Sequence, residues 1–317
     1  MGLLRGSDDG DRAEALCSLA KSDPASAADS ADELYSFFTS SDTDVLAAAA
    51  DTCYHLASSH PDVVTPAIDQ LLSALEDGDA SVRRRAADAL CELADSEPSA
   101  FSAWVESMTQ YLSAADPYVR ATMTGLYARL AASGPSRVLA VVDDIAAVVD
   151  DDGDWDVRVY ATGALADVAA RYPESVLSVV DDVVANAREP MPALQIAAVE
   201  LLAAVGVDSP GAVRDDVDDL FASLLRDGAS GPRRATALAA GHLACAQPQL
   251  LPGALDALTT TLADDDQEVA RAAARAYVAV ARAQPGAVAV SQEVRQRLWW
   301  LADDLDLRLE DLFSDIG

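Results

Sequence analysis

The chain has almost no lysine. Lys21 is the single one in 317 residues, against 21 Arg, 41 Asp and 12 Glu, and the formal net charge is −31. A nucleic-acid binder needs a basic footprint to displace counterions, so the composition excludes nucleic acid as the default partner. Histidine is nearly as scarce: His55, His60 and His242 are each followed by something other than Glu, too few ligands for a di-iron centre. Four cysteines, Cys17, Cys53, Cys91 and Cys245, lie far apart with no C-x-x-C pair, which excludes a disulfide framework and a zinc site. No apolar run is long enough for a membrane span and the first residues are too weakly apolar for a signal peptide, so a cytoplasmic protein with no membrane partner is expected. G-x-S-x-G, P-loop and Rossmann glycine patterns are absent, and Ser, His and acid never fall at triad-like spacing. The expectation is a non-enzyme, with no catalytic residue, cofactor or metal.

What is present in quantity is aspartate and apolar residues. Hydrophobic residues make up 51% of the chain, enough for a sizeable core. Replacing Lys by Asp and Ala keeps a surface hydrated at high salt, so the charge reads as an adaptation to solvent. The run from Asp150 to Asp156 clusters carboxylates in a way that suits hard cations, but no register supplies both the Gly and the Glu of an EF-hand; a solvated acidic turn is expected.

Order comes from a repeat. Prolines recur at Pro24, Pro61, Pro98, Pro135, Pro173, Pro210, Pro248 and Pro285, at successive intervals of 37, 37, 37, 38, 37, 38 and 37. Five positions before each stands a branched aliphatic: Leu19, Leu56, Leu93, Leu130, Val168, Val205, Leu243 and Val280. The next residue is Ala in seven units and Gly206 in the other, the pairing of bulk and smallness that close helix packing requires. Each unit reads as two helices. The first follows the proline, with apolar residues such as Val64, Ile68, Leu71 and Leu75, or Val176, Val180, Val183 and Ala187; the second follows an acidic loop and runs into the next proline. An acid also stands eight positions after every proline, at Asp32, Asp69, Glu106, Asp143, Asp181, Asp218, Asp256 and Glu293, where a helix N-terminus favours a carboxylate.

The acidic turns with their Val-Arg dipeptides, Asp79 with Val82-Arg83, Asp116 with Val119-Arg120 and Asp154 with Val157-Arg158, each leading into an Ala-rich helix, resemble the HEAT-repeat family, in particular its short form also found in phycobilin lyases. An acidic member of haloarchaeal type is expected. Later units depart from the pattern, with Leu194-Gln195, Pro232-Arg233 and Val269 before Ala270-Arg271. The resemblance implies an all-α fold: a right-handed α-solenoid, or superhelix, of HEAT-like helix pairs that keeps the proline period of 37–38, and whose second helices line a concave surface. The expected organisation is one array over 1–317: a half-repeat cap over 1–23, seven full repeats over 24–285, and capping helices over 286–317, where Leu305, Leu309, Leu312 and Ile316 share a face.

Function is sought on the second helices, at positions 14, 10, 7 and 3 before each proline. This face is polar early, with Glu14, Asp51, Arg84, Asp88 and Asp95, and apolar in the middle, with Ala121, Gly125, Ala128 and Ala132, then Val159, Gly163, Ala166 and Ala170, then Ile196, Glu200, Ala203 and Val207. It turns basic at Arg271, Arg275 and Arg282. The leading reading is a scaffold that binds a helix of a protein partner, or a second copy of itself, along Ala121, Gly125, Ala128, Val159, Gly163, Ala166, Ile196, Glu200 and Ala203, with the arginines at an end suited to acidic residues. From other classes come a small-ligand or chromophore lyase, and a nucleic-acid repair module whose local encouragement is the triplet Arg83, Arg84 and Arg85.

Overall fold

The computed structural model describes residues 9–150, 153–214 and 216–302. It divides into two compact units, Met1–Ala164 and Leu165–Gly317. The fold class is all-α as expected, a succession of helix pairs with no strand among the described residues. The second helices are the regular element. We number them α1 (Asp9–Ser22), α2 (Thr43–Ala57), α3 (Ala80–Ser96), α4 (Pro117–Ser133), α5 (Trp155–Ala169), α6 (Pro192–Asp208), α7 (Ser230–Ala246) and α8 (Gln267–Ala283). In the first unit α1 to α4 pack each on the next; in the second, α6, α7 and α8 do the same.

Their ends follow from the acids and prolines. The turn aspartates Asp42, Asp79, Asp116 and Asp266 are N-caps, accepting bonds from backbone N–H groups two or three positions on. Met191 and Ala229, where the acidic turn is lost, make no such side-chain bond. At the other end the residue before each repeat proline leaves the helical region, which the crowding pyrrolidine ring disfavours. His60, Glu97, Tyr172 and Gln247 accordingly share φ near −135° and ψ near 60°. The N–H of each pre-proline residue still closes one last helical bond, and its acceptor is the carbonyl of the aliphatic column: His60 to Leu56 at 2.7 Å, Glu97 to Leu93 at 2.7 Å, Ser209 to Val205 at 2.8 Å, Gln284 to Val280 at 2.8 Å. From Leu56 to Val280 that column has no exposed surface, whereas Leu19, in the opening half-repeat, is only half-buried.

The first helices are less regular than expected. Val64, Ile68, Leu71, Leu75, Val176, Val180, Val183 and Ala187 are all buried, so the apolar pattern holds. Yet the segment after Pro61 is three short pieces, Pro61–Val64, the 3-10 turn Thr65–Ala67 and Ile68–Ala74, and the segment after Pro98 is wholly 3-10, Pro98–Ala103 and Ser107–Ser113. Short helices do not sustain themselves, and packing against the long helices decides their geometry. Longer ones appear later, at Val180–Arg188, Val217–Asp227 and Pro252–Thr261. The last proline opens a turn instead: Ala287 N–H bonds to the Gln284 carbonyl at 3.0 Å around Pro285 and Gly286, whose φ of 93° requires glycine. Helix Gln292–Ala302 follows, and the amphipathic face from Leu305 to Ile316 lies outside the described residues.

Candidate interaction surface

The polar columns turn out to hold the repeats together. In the Val-Arg position, Arg83 donates to the carbonyls of Asp77 and Gly78, Arg120 to that of Ala114, and Arg233 to that of Gly228, at 2.7 to 3.0 Å. Gln195 keeps the same bond to Glu189 at 2.9 Å, which explains why that departure is tolerated. Each of these residues satisfies carbonyls that the end of the first helix or its loop leaves open. Arg83 and Arg233 also reach into the next repeat, Arg83 to Asp116 at 2.9 Å and Arg233 to Asp264 through two bonds at 2.9 Å. Burial alone would raise the Asp116 carboxyl, but bonds from Arg83 and Arg84 hold it below its ordinary value. Arg85 pairs with Asp51 at 2.8 Å, so the whole arginine triplet is engaged with acids of the chain. Six of the eight acids that follow the prolines, Asp32, Asp69, Asp143, Asp181, Asp218 and Glu293, do stand in a first helical turn. Glu106 sits just before a 3-10 turn, and Asp256 lies deeper in its helix. Two of them bridge repeats as well, Asp69 taking Trp104 Nε1 at 2.7 Å and Asp218 the N–H groups of Gly253 and Ala254.

The four registers on the second helices are not equally open. Position 7 before the proline is a seam between neighbouring helices in the later repeats, where Ala166, Ala203, Gly241 and Val278 are buried and Ala128 is half-buried, whereas Tyr54 at the same register before Pro61 is exposed. A second helix has neighbours on both flanks as well as its own first helix, so its outward arc is narrower than a lone amphipathic helix would show. Position 10 points out most consistently, with Glu200, Leu238 and Arg275 exposed and Gly163 half-exposed; Gly125 is buried beneath Tyr160. At position 14, Ala121, Val159, Ile196 and Arg271 are half-buried. Arg275 and Arg282 are exposed, and Arg271 pairs with Glu268 at 2.6 Å.

In the first unit Ala121 and Gly125 floor a cleft of about 420 Å³, walled by Tyr54, Tyr118 and Tyr160 and by the carboxylates of Asp88, Glu92 and Asp156. Tyr118 donates its hydroxyl to Asp88 at 2.6 Å, and Arg84 lies 5.5 Å from the centre of the Tyr118 ring. Desolvation raises the Asp88 carboxyl despite that bond. Arg129, the cation of the lining, is bound to Asp95 at 2.7 Å and to the Gly125 carbonyl at 3.0 Å. A Cβ on Gly125 would stand 3.4 Å from the Tyr160 ring and 3.2 Å from Arg129, so glycine is what lets both lie down here. Tyr54 stands at position 7 before Pro61, one of the registers read from the sequence, but Tyr118 and Tyr160 stand 17 and 13 positions before Pro135 and Pro173, so no single column of the repeat groups the three.

The second unit carries a different hollow, about 330 Å³ and mostly apolar, lined by Ala166, Ala170, Ala203, Ala204, Ala239 and Leu238. Leu238 is 46% exposed, high for a leucine in an ordered helix. Asp167 and Glu200 border it; Glu200 keeps much of its surface in solvent, but partial desolvation beside the apolar lining raises both carboxyls, with Asp167 adding repulsion at Glu200. Sequence reading named Ala166, Glu200 and Ala203 but missed Leu238, which shares position 10 with Glu200. The carboxylates restrict the expected preference for an acidic partner to the arginine end.

The histidines have structural surroundings. His60 precedes a helix start, His242 is exposed at the edge of the apolar hollow, and His55 Nε2 lies 3.7 Å from Asp51. Cys17, Asp51 and His55 bring ligand atoms within 4.8 Å of one another. Asp51 is already occupied, however, by Lys21 at 2.9 Å, the Cys17 thiol at 3.1 Å and Arg85 at 2.8 Å, and two cations beside one carboxylate repel a third. In the acidic loop Asp154 accepts from the Asp156 N–H at 3.0 Å; Asp151 and Asp152 lie outside the described residues.

Residues 67–96 match the model of the HEAT repeat. No curated protein matches the chain. Among solved structures, the chain is similar to an engineered protein with a TM-score of 0.72 and 20% identity, covering 99% of this chain and 83% of that one. A second engineered protein has a TM-score of 0.57 and 22% identity over 68% of this chain and 97% of its own. A designed armadillo repeat protein has a TM-score of 0.55 and 18% identity, covering 67% and 99%. These likenesses establish the fold: helix pairs repeated in tandem, in the manner of HEAT and armadillo arrays.

Proposed function

We propose that the chain is a non-enzymatic protein-interaction scaffold, working as one halophilic HEAT-like array over 1–317 and binding a helix of its partner on the outward face of the second helices. The observation that carries the reading is the apolar hollow around Leu238. Exposed aliphatic surface in a chain of charge −31 is surface kept for contact, and ridges of small residues admit a helix closely. Three of the four free cysteines are buried, which fits a reducing cytoplasm. No described helix is long and apolar enough to cross a membrane.

The test is co-purification from the native organism at high salt. Leu238→Asp places a charge in the hollow, and Gly163→Arg adds a long side chain where a Cβ meets nothing within 4 Å. Both variants are expected to keep their helicity and melting temperature and to lose the partner. Retention of every partner by both variants overturns the reading.

A further inference from the structure

We propose that the cleft between Tyr54, Tyr118 and Tyr160 receives an arginine side chain presented by a partner polypeptide. The inference rests on the reading of this face as a protein-binding surface and adds the chemistry of what it holds in the first unit. Three features converge on a cation. The walls offer three tyrosine rings, each at least a third exposed: Tyr54 38%, Tyr118 42% and Tyr160 36%. Aromatic faces carry negative charge density that attracts guanidinium and ammonium groups. Between the rings stand Asp88, Glu92 and Asp156, while Arg129 lies on the floor of the cleft with its guanidinium engaged by Asp95 and the Gly125 carbonyl, leaving those three carboxylates to a further cation.

The second feature is the cost of leaving Asp88 as it is. Desolvation disfavours its charge, and the Tyr118 hydroxyl and the charge of Arg85 offset this only in part, so a cation entering the cleft relieves a charge the fold compensates incompletely. The third is that neighbouring residues already show the pairing. Arg84 lies over Tyr118 at 5.5 Å and Arg158 over Trp155 at 4.6 Å, so this surface already sets guanidinium groups over aromatic rings. Arginine is favoured over lysine because a planar group can lie on a ring and still fork to a carboxylate. A volume of about 420 Å³ has room for one such side chain with part of the backbone that carries it.

A chain of this charge attracts any cation, so the experiment separates the cleft from the bulk field. The probe is a fluorescein-labelled acetyl-(Gly-Arg)4-amide, titrated with the full chain and followed by anisotropy, with the citrulline version as its neutral isostere. Saturable binding of the arginine peptide alone is expected. Asp88→Asn with Glu92→Gln should weaken it at least tenfold, and Tyr160→Ala roughly threefold to fivefold, the range of one exposed cation–π contact. Asp227→Asn with Asp265→Asn removes the same charge from exposed positions in the other unit and should leave binding unchanged. Equal weakening by both pairs, or equal binding of the citrulline peptide, overturns the proposal. So does competition by tetramethylammonium as effective as that by N-acetyl-arginine amide, which would make the cleft a site for small cations. The Asp88 and Glu92 changes remove a penalised charge and add no bulk, so folding of that variant keeps the test decisive if Tyr160→Ala unfolds. Failure of the unmodified chain to bind the arginine peptide, with a Leu238-dependent partner retained, would overturn the cleft and leave the scaffold standing; saturable peptide binding with no such partner would do the opposite.

Discussion

Glycine shows how differently one residue type behaves at two registers of the repeating second helix. Gly163 and Gly241 both interrupt long second helices. A Cβ on Gly241 would stand 2.5 Å from that of Ala276 on the next helix, whereas one on Gly163 would meet nothing within 4 Å. Gly241→Ala is therefore expected to destabilise the chain by about 1–3 kcal/mol through overpacking. Gly163→Ala should stabilise it by up to about 1 kcal/mol through helix propensity alone; urea melts of the two variants check both signs. Carboxylates divide in the same manner. Asp51 and Asp116 sit below their ordinary value of 3.8, so the stability they contribute is complete above that pH and is lost as pH falls through their folded values. Glu200 and Asp167 are raised, so their charged forms cost stability once pH climbs through those raised values. Glu200→Gln should accordingly raise the melting temperature at pH 7 and leave it unchanged at pH 3, where the wild-type carboxyl is protonated in both states. A lower melting temperature at pH 7 would refute the assignment.

Among the elements, the second helices were legible in the sequence because steric rules set both their ends. The repeat prolines push the residue before them out of the helical region, and an aspartate in the preceding turn offers its oxygen to the first free N–H groups. Asp79 and Asp266 each accept from two such groups, and Asp79→Ala or Asp266→Ala is expected to cost about 1 kcal/mol, read from denaturant midpoints. The first helices were legible only as an apolar pattern. Whether Phe101 and Met108 are carried by α-helical or 3-10 turns depends on the long helices they pack against, and one repeat read alone does not contain that information. The cleft was less legible still. Ala121 and Gly125 were named from the sequence, but Tyr54, Tyr118 and Tyr160 come from α2, α4 and α5 at three different registers and meet only after the helices stack.

For the whole molecule, the charge of −31 sets the expected response to salt. Unscreened self-repulsion opposes folding, so the melting temperature should rise from dilute buffer to molar KCl, and a flat or falling profile would remove the halophilic reading. The polar links described here between Arg83 and Asp116, Arg233 and Asp264, Asp69 and Trp104, and Asp218 and Gly253 each run from one repeat to the one that follows. Links of that reach make the period a unit of inheritance as well as of packing. A gene that lost the codons from Pro61 to Glu97, one whole period, would join His60 to Pro98 and restore the same junction it had broken, because the flanking residues stand in identical registers. A loss from Pro61 only as far as Leu90 would bring unlike registers together. The shorter array from the first deletion should fold and the longer one from the second should not, so such a chain can change its length over generations only in whole repeats.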